Sequence, residues 1–150
     1  MVTIFKMEAI KHLIPDVPLN EIELRIVDGK HFVFDKESLR EFEEYFITDS
    51  HYIFLEGGYI CRRPKWDKDA KPKNFTFFHR FLIEKDLFDY ENNNPEAKRP
   101  LQVHHLTWCK RINIKKYLKI LPKDIHEIIH EKGLRDRNLM QQSKWLEFDN

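Results

Sequence analysis

The sequence predicts an α+β protein, because segments with strand periodicity and segments with helical periodicity both occur along its 150 residues. Two turns, Asp28-Gly29 and Gly57-Gly58, each separate two apolar or alternating runs, as in β-hairpins. Between and after these hairpins, apolar residues recur at helical spacing. Hydrophobic residues make up 41% of the chain and twelve of them are Phe, which is enough to fill a core.

The first part of the chain is predicted to contain a helix, a hairpin and a second helix. The first helix covers residues 3–13 and stops before Pro15. The segments IELRIV and KHFVF form the hairpin, and DKESLREFEEYF forms the second helix, with Asp35 as its candidate N-cap. The apolar stripe of that helix consists of Leu39, Phe42 and Phe46.

The remainder begins with a predicted hairpin, HYIFLEGGYICRR, and a basic loop over residues 62–74. FTFFHRFLIEKDLF then changes from extended to helical periodicity, and the polar DYENNNPEAKRP predicts a loop. LQVHHL and YLKIL predict two short strands. Pro122 is expected to open a last helix, KDIHEIIHEKG, which Gly133 can end.

Charge is distributed unevenly. Residues 1–60 contain six Lys/Arg and twelve Asp/Glu, whereas residues 61–150 contain twenty and thirteen. Within the second part, residues 97–123 contain eight Lys/Arg and no acid, and the loop CRRPKWDKDAKPKN adds another basic cluster. The ordinary interpretation of such runs is a solvated face. Aromatic residues interleaved with the basic ones favour instead a polyanionic partner such as nucleic acid.

Other functional classes receive no support. No apolar run approaches the ~20 residues that span a bilayer, and the N-terminus lacks the pattern of a signal peptide. The two cysteines are far apart in the sequence and suggest neither a zinc knuckle nor a disulfide framework. We expect no membrane partner and a cytoplasmic location.

Four of the eight histidines lie in VHHLTWCKRINIKKYLKILPKDIHEIIH. On a helix, His126 and His130 are one turn apart and share a face. His104 and His105 would point to opposite sides of a strand, so one can face a metal while the other faces a substrate. Imidazole suits both a borderline metal and proton transfer near neutral pH. The core face of the helix would be taken by Ile125, Ile128 and Ile129.

A strand with His-His, a basic loop, a short strand, Leu-Pro and a helix with HxxxH together resemble the HNH endonuclease superfamily, also called ββα-metal or His-Me finger nucleases. LQVHHL matches the first strand, and LPKDIHEIIH looks like the helix of the histidine-rich, colicin-like branch. FFHRFLIEKDL resembles the helix before the motif in phage and homing members. The resemblance covers about residues 51–132. It implies a nuclease-like domain over residues 51–150, with an HNH ββα core, beside an acidic α/β accessory portion over residues 1–50.

The resemblance implies that His104, His126 and His130 bind one divalent metal ion and that His105 is the general base. Three imidazoles suit Zn²⁺, Ni²⁺, Co²⁺ or Mn²⁺ better than Mg²⁺, which prefers oxygen ligands. A transition metal is therefore favoured.

The chain departs from the family at the middle Asn of the motif, which usually precedes the leucine of the second strand. Here that position is Tyr117, before Leu118. Either Asn113 takes over the role in a shifted register, or Tyr117 braces the loop through its hydroxyl, or the scaffold has lost activity.

The expected function is metal-dependent hydrolysis of DNA phosphodiester bonds. The alternatives are an RNase on the same scaffold, such as a toxin domain, and a non-catalytic nucleic-acid-binding module with a structural metal site. Basic side chains would position the phosphates without specifying sequence, and a guanidinium can hold a phosphate bidentately. The candidate substrate-binding residues are Arg80, Lys110, Arg111, Lys115 and Lys116.

Overall fold

The computed structural model describes residues 4–71, 74–93, 101–107, 109–122, 126–128 and 131. These residues form short helices and small antiparallel sheets, which confirms the predicted α+β class. No helix within them combines the length and the apolar composition that crossing a membrane requires.

Helices flank a two-stranded hairpin in the first part of the chain. Asp28 and Gly29 both have positive φ, 48° and 79°, as the tight hairpin turn needs. Asp35 caps the following helix, because its Oδ1 accepts a hydrogen bond of 2.8 Å from the Ser38 amide. The elements are helix α1 (Ile4–Leu13), a 3₁₀ turn (Leu19–Glu21), strands β1 (Ile22–Val27) and β2 (Lys30–Asp35), helix α2 (Lys36–Arg40) and a π-helical segment (Glu41–Phe46).

A three-stranded sheet and a second hairpin follow. The sheet has the order β3-β4-β5, and the predicted turn Gly57-Gly58 joins its first two strands. The hairpin pairs β6 with β7 in a register that sets His104 opposite Lys119 and His105 opposite Leu118. The elements are strands β3 (His51–Glu56), β4 (Tyr59–Pro64) and β5 (Thr76–Phe77), helices α3 (Phe78–Leu82) and α4 (Glu84–Asn93), strand β6 (Leu101–His105), a 3₁₀ turn (Lys115–Tyr117) and strand β7 (Leu118–Pro122).

Three expectations about elements are wrong. The loop expected from residue 89 is helical as far as Asn93, because α4 carries acidic residues in its first turn, where the helix dipole favours them. The basic loop expected from residue 62 begins after Pro64, because β4 contains Arg62 and Arg63, as the hairpin HYIFLEGGYICRR predicted, and continues to Pro64. Pro122 ends β7 instead of opening a helix, although residues 126–128 are helical. Pro95, Pro100 and Gly133 lie outside the described residues.

Both parts of the chain contribute to shared hydrophobic clusters. Phe32, Phe34 and Phe46 are fully buried in one cluster together with Ile60 and Phe78. In the other, α1 and Val33 pack against the loop between β6 and β7. Val33 also bridges to that loop through its backbone: its N–H donates to the Arg111 carbonyl at 2.7 Å, and its carbonyl accepts from the Asn113 N–H at 2.8 Å. The first part of the chain therefore fixes the position of Asn113. The boundary at residue 50 stays a prediction.

Candidate histidine site

Strand β6 presents its two histidines to different neighbours. The ring of His104 meets that of His126 edge to face, with centroids 5.3 Å apart. The ring of His105 lies 5.7 Å from Tyr59 and 5.2 Å from His79. This arrangement follows from the alternation of side chains along a strand, and it agrees with the expected division of the pair.

His104 and His126 form the part of the expected metal site that the structure describes. Two imidazoles bound to one tetrahedral ion through bonds of ~2.0 Å have ring centroids roughly 5 Å apart, which the observed spacing matches. Nδ1 of His126 hydrogen-bonds to Oε1 of Gln102. Because an amide oxygen only accepts, Nδ1 is the donor of this bond, and the ring's lone pair lies on Nε2.

The third expected ligand, His130, lies outside the described residues. Within the described ranges, no group of three His, Cys, Asp or Glu side chains is arranged to hold a metal ion. Ile128, expected on the core face of this helix, is 52% exposed. The expectation for Ile128 is wrong, because this side chain faces away from the two buried clusters, and Ile125 and Ile129 lie outside the described residues.

His105 is buried, and burial lowers its pKa from the ordinary 6.5 to about 4. The hydrogen bond that the His105 ring donates to the Asn113 side chain works in the opposite direction, because it favours the protonated ring, and the charges of His104, Lys110 and His126 add to the lowering. Its Nε2 has no hydrogen-bond partner among the described residues. The ring is therefore neutral at pH 7 and offers one unengaged nitrogen.

Of the two residues considered for the role of the middle Asn, only Asn113 has its side chain at His105. The Asn113 side chain is almost fully buried, and its Nδ2 donates to the Lys110 carbonyl at 3.4 Å. The hydroxyl of Tyr117 instead lies 3.4 Å from the Asp16 amide and 3.5 Å from its carboxylate. The backbone of Tyr117 stabilises the loop, because its carbonyl accepts a hydrogen bond of 2.8 Å from the Leu106 N–H.

His79 had no predicted role, and the structure places its ring beside that of His105. His79 is buried, its ring lies 4.7 Å from that of Tyr59, and burial holds its pKa well below 6.5. Desolvation likewise raises the pKa of Tyr59. No local pattern could have indicated this neighbour, because 26 residues separate His79 from His105 in the chain.

The candidate substrate-binding residues fall into separate places. Lys110 lies beside the His105 cluster, with its Nζ 4.7 Å from the Tyr59 ring centre and 2.9 Å from the Gly57 carbonyl. Arg80 joins α3 to β6 by donating to the Leu101 carbonyl at 3.0 Å.

The remaining three contact the first part of the chain. The Lys115 amide donates to Oγ of Ser38 at 3.1 Å. Nζ of Lys116 donates to the Asp16 carbonyl at 3.3 Å. The Arg111 carbonyl accepts from Val33. The histidine site and these lysines are therefore not grouped around one point, and Lys110 is the basic residue that contacts the His105 cluster.

No family model, curated protein or solved structure matches the chain. Any functional inference therefore depends on the chemistry and geometry of the site.

Proposed function

We propose that the protein is a metal-dependent endonuclease of the HNH type that hydrolyses phosphodiester bonds in DNA. In this proposal β6, β7 and the helix at His126 form the ββα core, and His105 is the general base. The observation that supports it is the placement of two adjacent histidines of one strand in different environments. His104 meets a second histidine on one side, and a neutral His105 with an unengaged nitrogen lies on the other.

His105 is suited to accept a proton from an attacking water. A pKa of about 4 keeps the ring in its neutral, accepting form across the physiological range and makes it a weaker base than an imidazole of ordinary pKa. Asn113 orients the imidazole through its hydrogen bond and keeps the pKa from falling further. A general base in this position contributes roughly 10²–10⁴-fold to the rate.

His104 and His126 would hold the metal ion, with His130 as the third ligand. Such an ion, when bound, neutralises charge that develops on the phosphate and on the leaving oxygen. Gln102 fixes the proton on Nδ1 of His126 and so directs its Nε2 toward the ion. An all-imidazole set favours Zn²⁺, Ni²⁺, Co²⁺ or Mn²⁺ over Mg²⁺.

A non-catalytic nucleic-acid-binding module with a structural metal is the second candidate. The burial of His104 and His105, 4% and 6% exposed, favours it, because a base must be reached by water and substrate. RNA cleavage by the same residues would differ from DNA cleavage only in substrate.

Cleavage assays with plasmid DNA and with RNA, in Zn²⁺, Ni²⁺, Mn²⁺, Mg²⁺ or a chelator, test the proposal. His105→Ala should retain metal affinity, measured by calorimetry, and lose on the order of 10²-fold or more in cleavage rate. His104→Ala and His126→Ala should lose metal affinity and, with it, activity. His12→Ala, which alters an exposed histidine of α1, is the control and should change neither.

Cleavage that survives His105→Ala unchanged would remove the base from the proposal. Salt-dependent binding without cleavage in any of the metals would support the binding module instead. Equal metal affinities for the wild type and His126→Ala would reject the ligand assignment.

A further inference from the structure

We propose that one face of the sheet β3-β4-β5 is a stacking surface for the bases of single-stranded nucleic acid, and that it leads toward His105. We call it the aromatic face. This inference rests on the proposed function for its substrate class, and it adds the strandedness of the substrate and its path to the site. The rings of the aromatic face are Tyr52, Phe54, Tyr59, Phe75 and Phe77.

Strand alternation separates this face from the core. Ile53 and Leu55 of β3 pack against the hydrophobic cluster, so Tyr52 and Phe54 point to the other side. Paired residues of neighbouring strands point to the same side of a sheet. Phe54 is paired with Cys61, and Cys61 with Phe77, so Phe77 lies on the same side as Phe54. The aromatic residues of three strands therefore share one surface.

The rings form two groups on this face, one at the Tyr52 end of the sheet and one beside the histidine site. Tyr52 stacks with Phe54 at 5.9 Å, and Phe54 meets Phe75 edge to face at 4.8 Å. On the neighbouring strands Phe77 lies 6.1 Å from Tyr59. The Tyr59 ring is in turn 5.7 Å from that of His105. A nucleic-acid strand that lies along the aromatic face would bring its phosphate backbone to His105, the proposed general base.

Two large aromatic side chains are exposed at the far end. Tyr52 is 50% exposed, and Trp66, in the loop after β4, is 81% exposed. The loop is held against this end of the sheet, because the Lys65 amide donates to the Ser50 carbonyl at 2.9 Å and Arg63 donates to the Asp67 carbonyl at 3.2 Å. Exposed aromatic rings on a fixed support are what base stacking requires.

Charge at both ends suits a phosphate backbone. The Arg63 guanidinium lies 4.9 Å from the Tyr52 ring centre, and Lys65 and Lys68 are exposed in the adjoining loop. Lys110 occupies the other end, over Tyr59. Three carboxylates lie in the same region and reduce the positive charge without cancelling it: Glu56, Asp67 and Asp69.

The surface favours unpaired bases over a duplex. In a double helix each base is stacked on its neighbours, so its face is not available to a side chain, whereas every unpaired base offers a π-face. Basic residues alone would bind either form through phosphates. The aromatic rings therefore supply the preference for single strands.

Fluorescence anisotropy in a chelator tests the proposal without any cleavage. The probes are a labelled oligothymidylate, its duplex with oligodeoxyadenylate, and an abasic strand of equal length. The wild type should bind the oligothymidylate most tightly. Tyr52→Ala and Trp66→Ala should each weaken that binding by roughly 5- to 150-fold and leave binding of the abasic strand unchanged. Tyr52→Phe should bind as the wild type does.

Tyr45→Ala is the matched control, because Tyr45 is also 50% exposed but lies on the π-helical segment, away from the aromatic face. Equal affinities for Tyr52→Ala, Trp66→Ala and Tyr45→Ala would overturn the proposal, as would equal affinity for duplex and single strand. Failure to bind any strand would also overturn it. Binding in the chelator with no cleavage in any metal would reject the nuclease but keep the stacking surface.

Discussion

Burial controls the protonation of the side chains at the centre of the site. His105 and His79 pack against each other and against Tyr59, and desolvation is the largest influence on the pKa of both histidines. Two mutually close imidazoles also disfavour a charge on either one. The cluster is therefore stable only while its histidines are neutral, which couples folding to pH.

This coupling predicts a loss of stability in acid. Because the pKa of His105 is lowered to about 4, the unfolded chain takes up its proton first as the pH falls below 6.5. The contribution of His105 is present in full above pH 6.5 and is lost as the pH falls toward 4. Between pH 7 and pH 5 it amounts to about 2 kcal/mol of unfolding free energy.

Urea denaturation of the metal-free protein at several pH values measures this effect. His105→Phe should flatten the decline in stability over that range, and the remaining slope should include the contribution of His79, whose pKa is also lowered. Tyr59→Phe keeps both histidines in the same cluster and should retain the wild-type slope. A His105→Phe protein as acid-sensitive as the wild type would contradict the assigned burial.

At the residue level, the sequence pattern predicted side-chain orientations that depend only on the local backbone geometry. The alternation of a strand placed His104 and His105 on different sides, as the structure has them. The choice between Asn113 and Tyr117 could not be made, because it depends on how the loop folds back over His105. His79 was missed for the same reason, since its contact with His105 joins distant parts of the chain.

The elements that position the site are held by turns and caps that the sequence encodes directly. Positive φ at Asp28 and Gly29 forms the β1–β2 turn, and β2 then fixes Asn113 through the backbone of Val33. Asp35 begins the helix whose continuation brings Phe42 and Phe46 into the core. These elements were predictable because their signals lie within a few residues.

Removal of the cap predicts a measurable loss of stability. Asp35→Ala deletes the acceptor of the Ser38 amide and should reduce the unfolding free energy by about 1 kcal/mol. Asp35→Asn keeps an oxygen acceptor and is the matched control. Chemical denaturation at neutral pH compares the three proteins. An Asp35→Asn protein that is as unstable as Asp35→Ala would show that the charge, and not the cap, stabilises the helix.

Other elements depend on tertiary context. The π-helical geometry over Glu41–Phe46 and the pairing of Val33 with Ile112 have no local signature that the sequence could supply. Helix α4 extends beyond its predicted end, although its last three residues are polar, so no apolar periodicity marked them.

At the scale of the whole molecule, the acidic first part and the basic second part form common hydrophobic clusters, and basic side chains of the second part contact the first part. Lys116 is an example, since its Nζ donates to the backbone carbonyl of Asp16. Lys115 lies beside Glu37 and Glu41 along a shallow pocket. Lys110 differs, because it stands over Tyr59 at the end of the aromatic face. The count of basic residues in the sequence could not separate these environments.

The salt dependence of nucleic-acid binding should distinguish the environment of Lys110 from those of Lys115 and Lys116. If Lys110 contacts one phosphate of a single strand, Lys110→Gln should reduce the slope of log K against log salt by about 0.7, because about that many counterions are released per contact. Lys115→Gln and Lys116→Gln should each have a smaller effect, since acidic groups or Asp16 already compete for these side chains. Lys36→Gln, on the exposed start of α2, is the control and should leave the slope unchanged.

Anisotropy titrations of the oligothymidylate at increasing salt give the slopes. A slope unchanged in Lys110→Gln but reduced in Lys115→Gln and Lys116→Gln would place the phosphate path along the loop that faces Asp16 and Ser38, away from the aromatic face.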